Sequence, residues 1–308
     1  MKKEEFYIPS GNKENLIHCI CWIPEEKVCG VVQLVHGMVE YMDRYHDFAC
    51  YLTEQGFAVI GHDHLGHGRS TSCDEELGFF AEKDGYKYAL ADMYSVTQEG
   101  KKRWPNLPVF LLGHSMGSFF VRRYVTLYGA ELAGAVIMGT GYYPLALTRA
   151  GKGLAKLMCA TQGAKKRSEL LYRITLGSNN RGFEETHPLS GWITKDVEIV
   201  ERYSRDKFCT FRFTNSAYFD LFSLLEELAQ KIDMELIPKS LPIFFVAGQD
   251  DPVGAKGEGV KTVYREFQAL GLKEVSMKLY EGDRHEILNE TDRQVVYRDL
   301  ANWFSHHL

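Results

Sequence analysis

The chain has 308 residues, 45% of them hydrophobic and 25% charged, which suits a globular protein with a large core, built as one domain with an insertion or as two domains. A net charge of −5 argues against a nucleic-acid binder, which would be basic. No stretch approaches the ~18 consecutive apolar residues of a membrane span, Met1–Glu5 leads into no apolar signal segment, and seven cysteines without a regular framework point to a reducing cytoplasm.

Leu16–Trp22 alternates like a half-buried strand. Cys19 and Cys21 would point the same way from it, but no second pair completes a zinc site, so packing is their expected role. Val31–Val35 reads as the next strand. No helical pattern separates the two, so an antiparallel hairpin is expected to open the sheet. Helix Tyr45–Gln55, strand Phe57–Ile60, helix Lys83–Arg103, strand Val109–Leu112, helix Met116–Tyr128 and strand Ala135–Met138 follow. Strands alternating with helices predict an α/β fold with a mostly parallel sheet.

The rhythm breaks at Tyr142. As far as Ser216 the pattern is helix and loop with no core strand. Residues 142–216 are therefore expected to form a cap over the cleft, with 1–141 and 217–308 as the core. The first part of this insertion, Leu145–Arg173, carries seven basic residues against Glu169, with leucines at helical spacing. Such a segment could meet an anionic membrane surface; the plainer alternative is a solvated cationic face over an ordinary cap core. Helix Tyr218–Lys231, strand Ile243–Ala247, helix Val260–Leu270, strand Val275–Tyr280 and helix Thr291–His306 complete the chain.

Gly113-His114-Ser115-Met116-Gly117 reads Gly-x-Ser-x-Gly between a buried strand and a helix. In that setting it marks a tight turn that exposes a nucleophilic serine. Side chains at Gly113 or Gly117 would crowd the neighbouring backbone. A serine hydroxyl is a weak nucleophile and needs a histidine base oriented by a carboxylate. Both occur downstream, each after a strand: Gly248-Gln249-Asp250-Asp251, then Glu281-Gly282-Asp283-Arg284-His285. Ser115 is thus the expected nucleophile, His285 the base and Asp251 the orienting acid, with Asp250 as the alternative. The backbone N–H groups of Met116 and of Met38, in the His36-Gly37-Met38 loop after Val31–Val35, are the expected oxyanion donors. His62-Asp63-His64-Leu65-Gly66-His67 concentrates possible metal ligands, but its glycines make it a turn. A hydrogen-bonded loop buttressing the cleft is expected there, and no metal.

Together, His36-Gly37-Met38-Val39-Glu40, Gly61–Ser70, Gly113–Gly117, Asp251 and Gly282–Glu290 resemble the monoacylglycerol lipase and lysophospholipase branch of the α/β-hydrolases, the serine aminopeptidase S33 group. The likeness runs from about Phe6 to Phe304. It implies an eight-stranded, mostly parallel sheet with a helical cap lining an acyl tunnel. It also implies esterase chemistry on acyl glycerols or similar lipids without a cofactor. Glu40 and Arg44 match a glutamate and an arginine that shape the glycerol pocket of animal monoacylglycerol lipases. A histidine belonging to that pocket is replaced here by Leu288, which suggests a different leaving-group pocket. Pro188–Asp196 resembles the cap of bacterial members. The expected substrate-binding set is His36, Gly37, Glu40, Arg44, His114, Trp192 and Leu288. An aryl or short-chain esterase and a peptidase use the same triad and remain alternatives. The aromatic residues Tyr142, Tyr143, Trp192, Tyr218 and Phe219 could line either kind of slot.

Overall fold

The computed structural model describes residues 1–308. Eight strands form one sheet: β1 (Lys2–Pro9), β2 (Leu16–Ile23), β3 (Gly30–Val35), β4 (Phe57–His62), β5 (Val109–His114), β6 (Gly134–Met138), β7 (Ile243–Gly248) and β8 (Val275–Tyr280). Their spatial order is β1-β2-β4-β3-β5-β6-β7-β8. β1 and β2 pair antiparallel, β2 joins β4 antiparallel, and every later pairing is parallel. The hairpin expected between Leu16–Trp22 and Val31–Val35 does not form. β2 pairs instead with β1, which carries Lys2, Lys3, Glu4 and Glu5 and alternates exposed and half-buried positions. That is the charged, half-wet make-up of an edge strand, and it masks the strand in the sequence.

The inner strands β3 to β7 are buried along their whole length, as expected where helices cover both faces. Alternate residues feed two cores. Val31 and Val35 enter one of 44 buried residues, Val32 and Leu34 the other of 25. Helices α1 (His46–Glu54), α2 (Gly85–Arg103), α3 (Met116–Tyr128), α8 (Glu258–Ala269) and α9 (Arg293–His306) flank the sheet.

Between β6 and β7 the chain leaves the sheet. It forms α4 (Leu145–Gln162), α5 (Glu169–Thr175), α6 (Val197–Arg205) and α7 (Asn215–Ala229). Three of these start on a side-chain cap: Ser168 accepts from the Leu171 N–H, Asp196 from Glu198 and Ile199, and Thr214 from Ala217. A boundary drawn at residue 216 falls inside α7, whose buried face carries Leu221, Leu224 and Leu225. The single bridge outside the main sheet joins Arg167 to Thr214.

The turn from β5 into α3 is tightly packed. A Cβ on Gly113 would overlap the Gly117 carbonyl oxygen, and one on Gly117 would overlap the carbonyl oxygen of Val35. The helix therefore starts in contact with the backbone of β3, and only hydrogen fits between them. Gly117→Ala is expected to cost at least about 1–3 kcal/mol through overpacking, read as a lowered denaturation midpoint. An unchanged midpoint would show that the turn relaxes freely.

Candidate active site

Ser115 stands between β5 and α3 with φ 54° and ψ −119°, a conformation that side chains rarely adopt. Its own N–H donates to the Met138 carbonyl at 2.9 Å, and its carbonyl accepts from the Ser118 N–H and hydroxyl at 2.9 and 2.6 Å. These bonds hold the strained turn in place.

Asp251 and His285 follow β7 and β8, so both lie at the strand ends that also carry Ser115. Asp251 is fully buried and His285 nearly so. Oδ2 of Asp251 lies 3.0 Å from Nδ1 of His285. That is ion-pair distance, although the two atoms are not aligned as a directional hydrogen bond. Side-chain pairs of this kind commonly tighten only when substrate is bound. Asp251 also accepts from the Val253 N–H at 2.8 Å. Asp250 makes no contact with the imidazole in the structure's hydrogen bonds; its N–H donates to the Asp283 carbonyl.

The loop after β3 approaches the serine closely. A Cβ on Gly37 would stand 2.9 Å from that of Ser115. The N–H groups of Met38 and Met116 have no acceptor within the chain, while those flanking Met38 do: Gly37 N–H donates to Glu40 and Val39 N–H to His67. His36 is fully buried, and both its ring nitrogens are spent inside the protein. Nδ1 donates to the Gly37 carbonyl at 2.7 Å and Nε2 accepts from the His64 N–H at 2.9 Å. Burial accordingly pushes its pKa down, and the neutral ring acts as a strut between two loops. Asp63 anchors the second loop by accepting from the N–H groups of Met42 and Arg69, at 2.7 and 2.8 Å. The His62–His67 segment thus supports the Met38 loop through backbone bonds.

Beneath the serine lies a buried ionic network. Glu40 accepts from the Gly37 N–H at 2.5 Å, His114 Nδ1 at 2.9 Å, Tyr45 at 3.1 Å and Arg44 at 3.1 Å. Burial alone would raise its pKa, but the His114 and Arg44 charges overcome this and hold the carboxyl well below the usual carboxylate range. Burial likewise opposes protonation of His114, and Glu40 overcomes it, raising the histidine. The hydrogen bonds agree. His114 faces two oxygens that only accept, Glu40 Oε1 and the His285 carbonyl at 3.2 Å, so both ring nitrogens carry protons. Arg44 then forks onto Glu286 with two 2.7 Å bonds. The space enclosed by Glu40, Arg44, His114, Glu286 and Leu288 is only about 10 Å³.

A strap from the α5–α6 connection grips the histidine loop. His285 and Glu286 N–H groups donate to the Trp192 and Ile193 carbonyls at 3.4 and 2.8 Å. The Trp192 ring lies 4.9 Å from that of His285, at 35°. Arg284 donates to the Gly191 and Thr194 carbonyls, and Lys195 pairs with buried Asp283 at 2.7 Å. The sequence marks the Pro188–Asp196 segment and Trp192 within it, but not these contacts, most of which run through backbone carbonyls.

A larger cleft, about 790 Å³, is lined mainly by charged residues, lies between the 41–47 segment and α6 and includes none of Ser115, Asp251 and His285. The cavity that reaches Ser115 is about 360 Å³ and largely apolar. Met38 and Met116 flank the serine, and Leu147, Leu154, Leu221, Phe222 and Leu225 of α4 and α7 form much of the wall. Of the expected substrate-binding residues, none lines this cavity.

Removing the Glu40 charge tests the buried pair. Glu40→Gln is expected to cost about 3–5 kcal/mol, since it leaves His114 without its counter-charge. The sign with pH follows from both partners. The Glu40 contribution, from a depressed pKa, is lost as pH falls below ~4.3; that of His114, from a raised pKa, is lost as pH climbs past ~6.5 and through its folded value. The stability gap in denaturant should therefore be widest between these limits. A gap independent of pH would contradict the ion pair.

Comparison with known proteins agrees with this architecture. The serine aminopeptidase S33 family pattern matches residues 26–292. The chain is 27% identical over 290 residues to a monoacylglycerol lipase of Mycolicibacterium smegmatis, covering 93% of this chain and 92% of that one. It is 26% identical over 290 residues to a monoglyceride lipase homolog of Monkeypox virus, covering 93% of each. Among solved structures, a thermostable carboxyl esterase from Bacillus coagulans, in complex with glycerol, superposes with TM-score 0.91 at 28% identity and 99% coverage of both chains. The chain belongs to the serine aminopeptidase S33 family and has the α/β-hydrolase fold.

Proposed function

We propose that the protein is a serine carboxylester hydrolase of the monoacylglycerol lipase and lysophospholipase kind, working through an acyl-enzyme. Ser115 attacks the ester carbonyl. His285 takes the hydroxyl proton and returns it to the leaving alcohol, and Asp251 holds the imidazole in the required tautomer. The N–H groups of Met38 and Met116 stabilise the developing oxyanion. Water then cleaves the acyl-enzyme by the same steps in reverse roles. No cofactor takes part.

The observation that carries this reading is the apolar cavity of about 360 Å³ opening at the strained Ser115, between two uncommitted backbone N–H groups. Its volume and lining suit an acyl chain of medium length. A peptide would need polar partners along its backbone, which these walls do not offer. The ester-cleaving relatives support the same choice. Residues 142–216 act as the cap, supplying one wall of this cavity through α4.

The cap also supports peripheral binding to an anionic membrane. Leu147 and Ile174 line the cavity yet are 57% and 53% exposed, and Leu157 and Leu170 are exposed beside them. Lys156, Lys165 and Lys166 are exposed on the same segments with no carboxylate partner. No helix is long and apolar enough to cross a membrane. Sedimentation should be stronger with anionic than with neutral vesicles and weaker after Leu157→Ser with Lys156→Glu. Equal sedimentation with both would remove the membrane from the account.

The triad is tested by mutation. Ser115→Ala is expected to abolish labelling by a fluorophosphonate and nearly all turnover. Asp251→Asn is expected to lose about 10⁴-fold in kcat through the wrong tautomer, and Asp250→Asn only a few-fold. A reversal between the two aspartates would assign the acid to Asp250. Across p-nitrophenyl esters of increasing acyl length, kcat/KM should peak at medium chains; a steady fall from acetate would mean that the cavity does not hold the acyl group.

A further inference from the structure

The leaving alcohol has to go somewhere, and the pocket suggested by resemblance is shut. Its roughly 10 Å³ is at most the room one water needs. Its polar groups are satisfied by one another: Arg44 is forked onto Glu286, and Glu40 accepts from four donors. Admitting glycerol would break bonds that are buried and charge-assisted, while Leu288 offers the newcomer no replacement.

A second cleft of about 170 Å³ is open. It begins at Val39, the residue after Met38, and Leu176 is shared between its wall and that of the acyl cavity. The two spaces therefore adjoin near the oxyanion loop. Trp192, whose ring lies tilted at 35° and 4.9 Å from that of His285, forms another wall. In the proposed reaction His285 delivers a proton from Nε2, at the ring edge, to the alcohol oxygen, so the alcohol starts its exit beside this imidazole, next to Trp192. Tyr172, Tyr203 and Phe211 complete an aromatic surround. Its charged lining residue, Arg212, is held over the Tyr172 ring and paired with Glu169 at 2.6 Å, so it is not free to seat a polyol.

We propose that this cleft is the alcohol subsite, and that it selects esters whose alcohol carries a flat, apolar, ring-sized group over esters of glycerol. The inference rests on the carboxylester-hydrolase reading and narrows its alcohol side. Ring faces against ring faces gain beyond simple burial, whereas glycerol hydroxyls would meet few free partners: the Ser204 and Thr210 hydroxyls already donate to the Glu201 and Asp206 carbonyls, and His187 Nδ1 accepts from the Leu189 and Ser190 N–H groups.

The test holds the acyl group constant. Purified enzyme is assayed on 2-phenylethyl octanoate, 1-monooctanoylglycerol and methyl octanoate. The phenylethyl ester is expected to exceed the glycerol ester in kcat/KM by at least about tenfold. Thr210→Trp and, separately, Ser190→Phe introduce rings at the cleft margin. Each should lower the ratio of phenylethyl to methyl ester at least fivefold, chiefly through KM, and the ratio cancels any loss of folded enzyme. Equal or greater activity on the glycerol ester would overturn the proposal, as would a ratio that neither variant moves. Failure to hydrolyse methyl octanoate at all would instead strike the ester-hydrolase reading.

Discussion

The carboxylate of Glu40 is the interaction on which the site depends. It is buried, so it must be fully partnered; its partners come from the 37–45 segment and His114, and through Arg44 it reaches a third part of the chain. Gly37 brings the loop of the candidate oxyanion donors, His114 brings the turn that carries Ser115, and Arg44 brings Glu286 from the loop after β8. His114 extends the chain to the main-chain oxygen of His285 itself. One charge thus ties the turn bearing Ser115, the loop bearing Met38 and the loop bearing His285 into a single unit. A buried pair of this kind adds little net stability over an apolar packing, but it is costly to break. Its value here is positional: each of the three loops is fixed relative to the other two.

The segment between β6 and β7 bonds to the same unit. Trp192 and Ile193 lend their carbonyls to the backbone of His285 and Glu286, and Lys195 neutralises Asp283 beneath that loop. The helical insertion is therefore not hinged loosely over the cleft along its whole length. The 186–196 strap is bonded to the histidine loop, whereas α4 and α5 border the apolar cavity with exposed leucines and few ionic ties to the core. Any opening that admits a lipid chain is more easily made at α5 than at the strap or at α4, which packs closely on α7 with Gly151 against Phe222, because local opening follows the weaker contacts.

Much of this was legible in the sequence, and the reasons differ by residue. Strong periodicity marked the inner strands and α3, whose limits Met116–Tyr128 coincide with the expected ones. Gly113 and Gly117 could be read as steric necessities, and the backbone overlap a side chain would create agrees with that. β1 was hidden because its lysines and glutamates have no strand signature, and without it β2 was given the wrong partner. Glu40 and Arg44 stood out, but as groups facing a ligand. Nothing local reveals that Glu286, 242 residues beyond Arg44, would occupy that arginine. His36 likewise looked like a ligand contact and is a buried strut. The strap is marked in the sequence by Pro188–Asp196, but its bonds to the histidine loop are not, since backbone carbonyls carry no residue code.

The central claim is that one acyl chain reaches Ser115 through the apolar cavity, with its carbonyl oxygen between Met38 and Met116. The most direct measurement is a crystal structure of the protein inactivated by an octyl phosphonate ester. The account predicts phosphorus bonded to Ser115 Oγ, the phosphonyl oxygen within hydrogen-bond distance of both N–H groups, and the octyl chain between α4 and α7 against Leu221 and Phe222. Phosphorus on another residue, or an octyl chain lying outside that cavity, would contradict it.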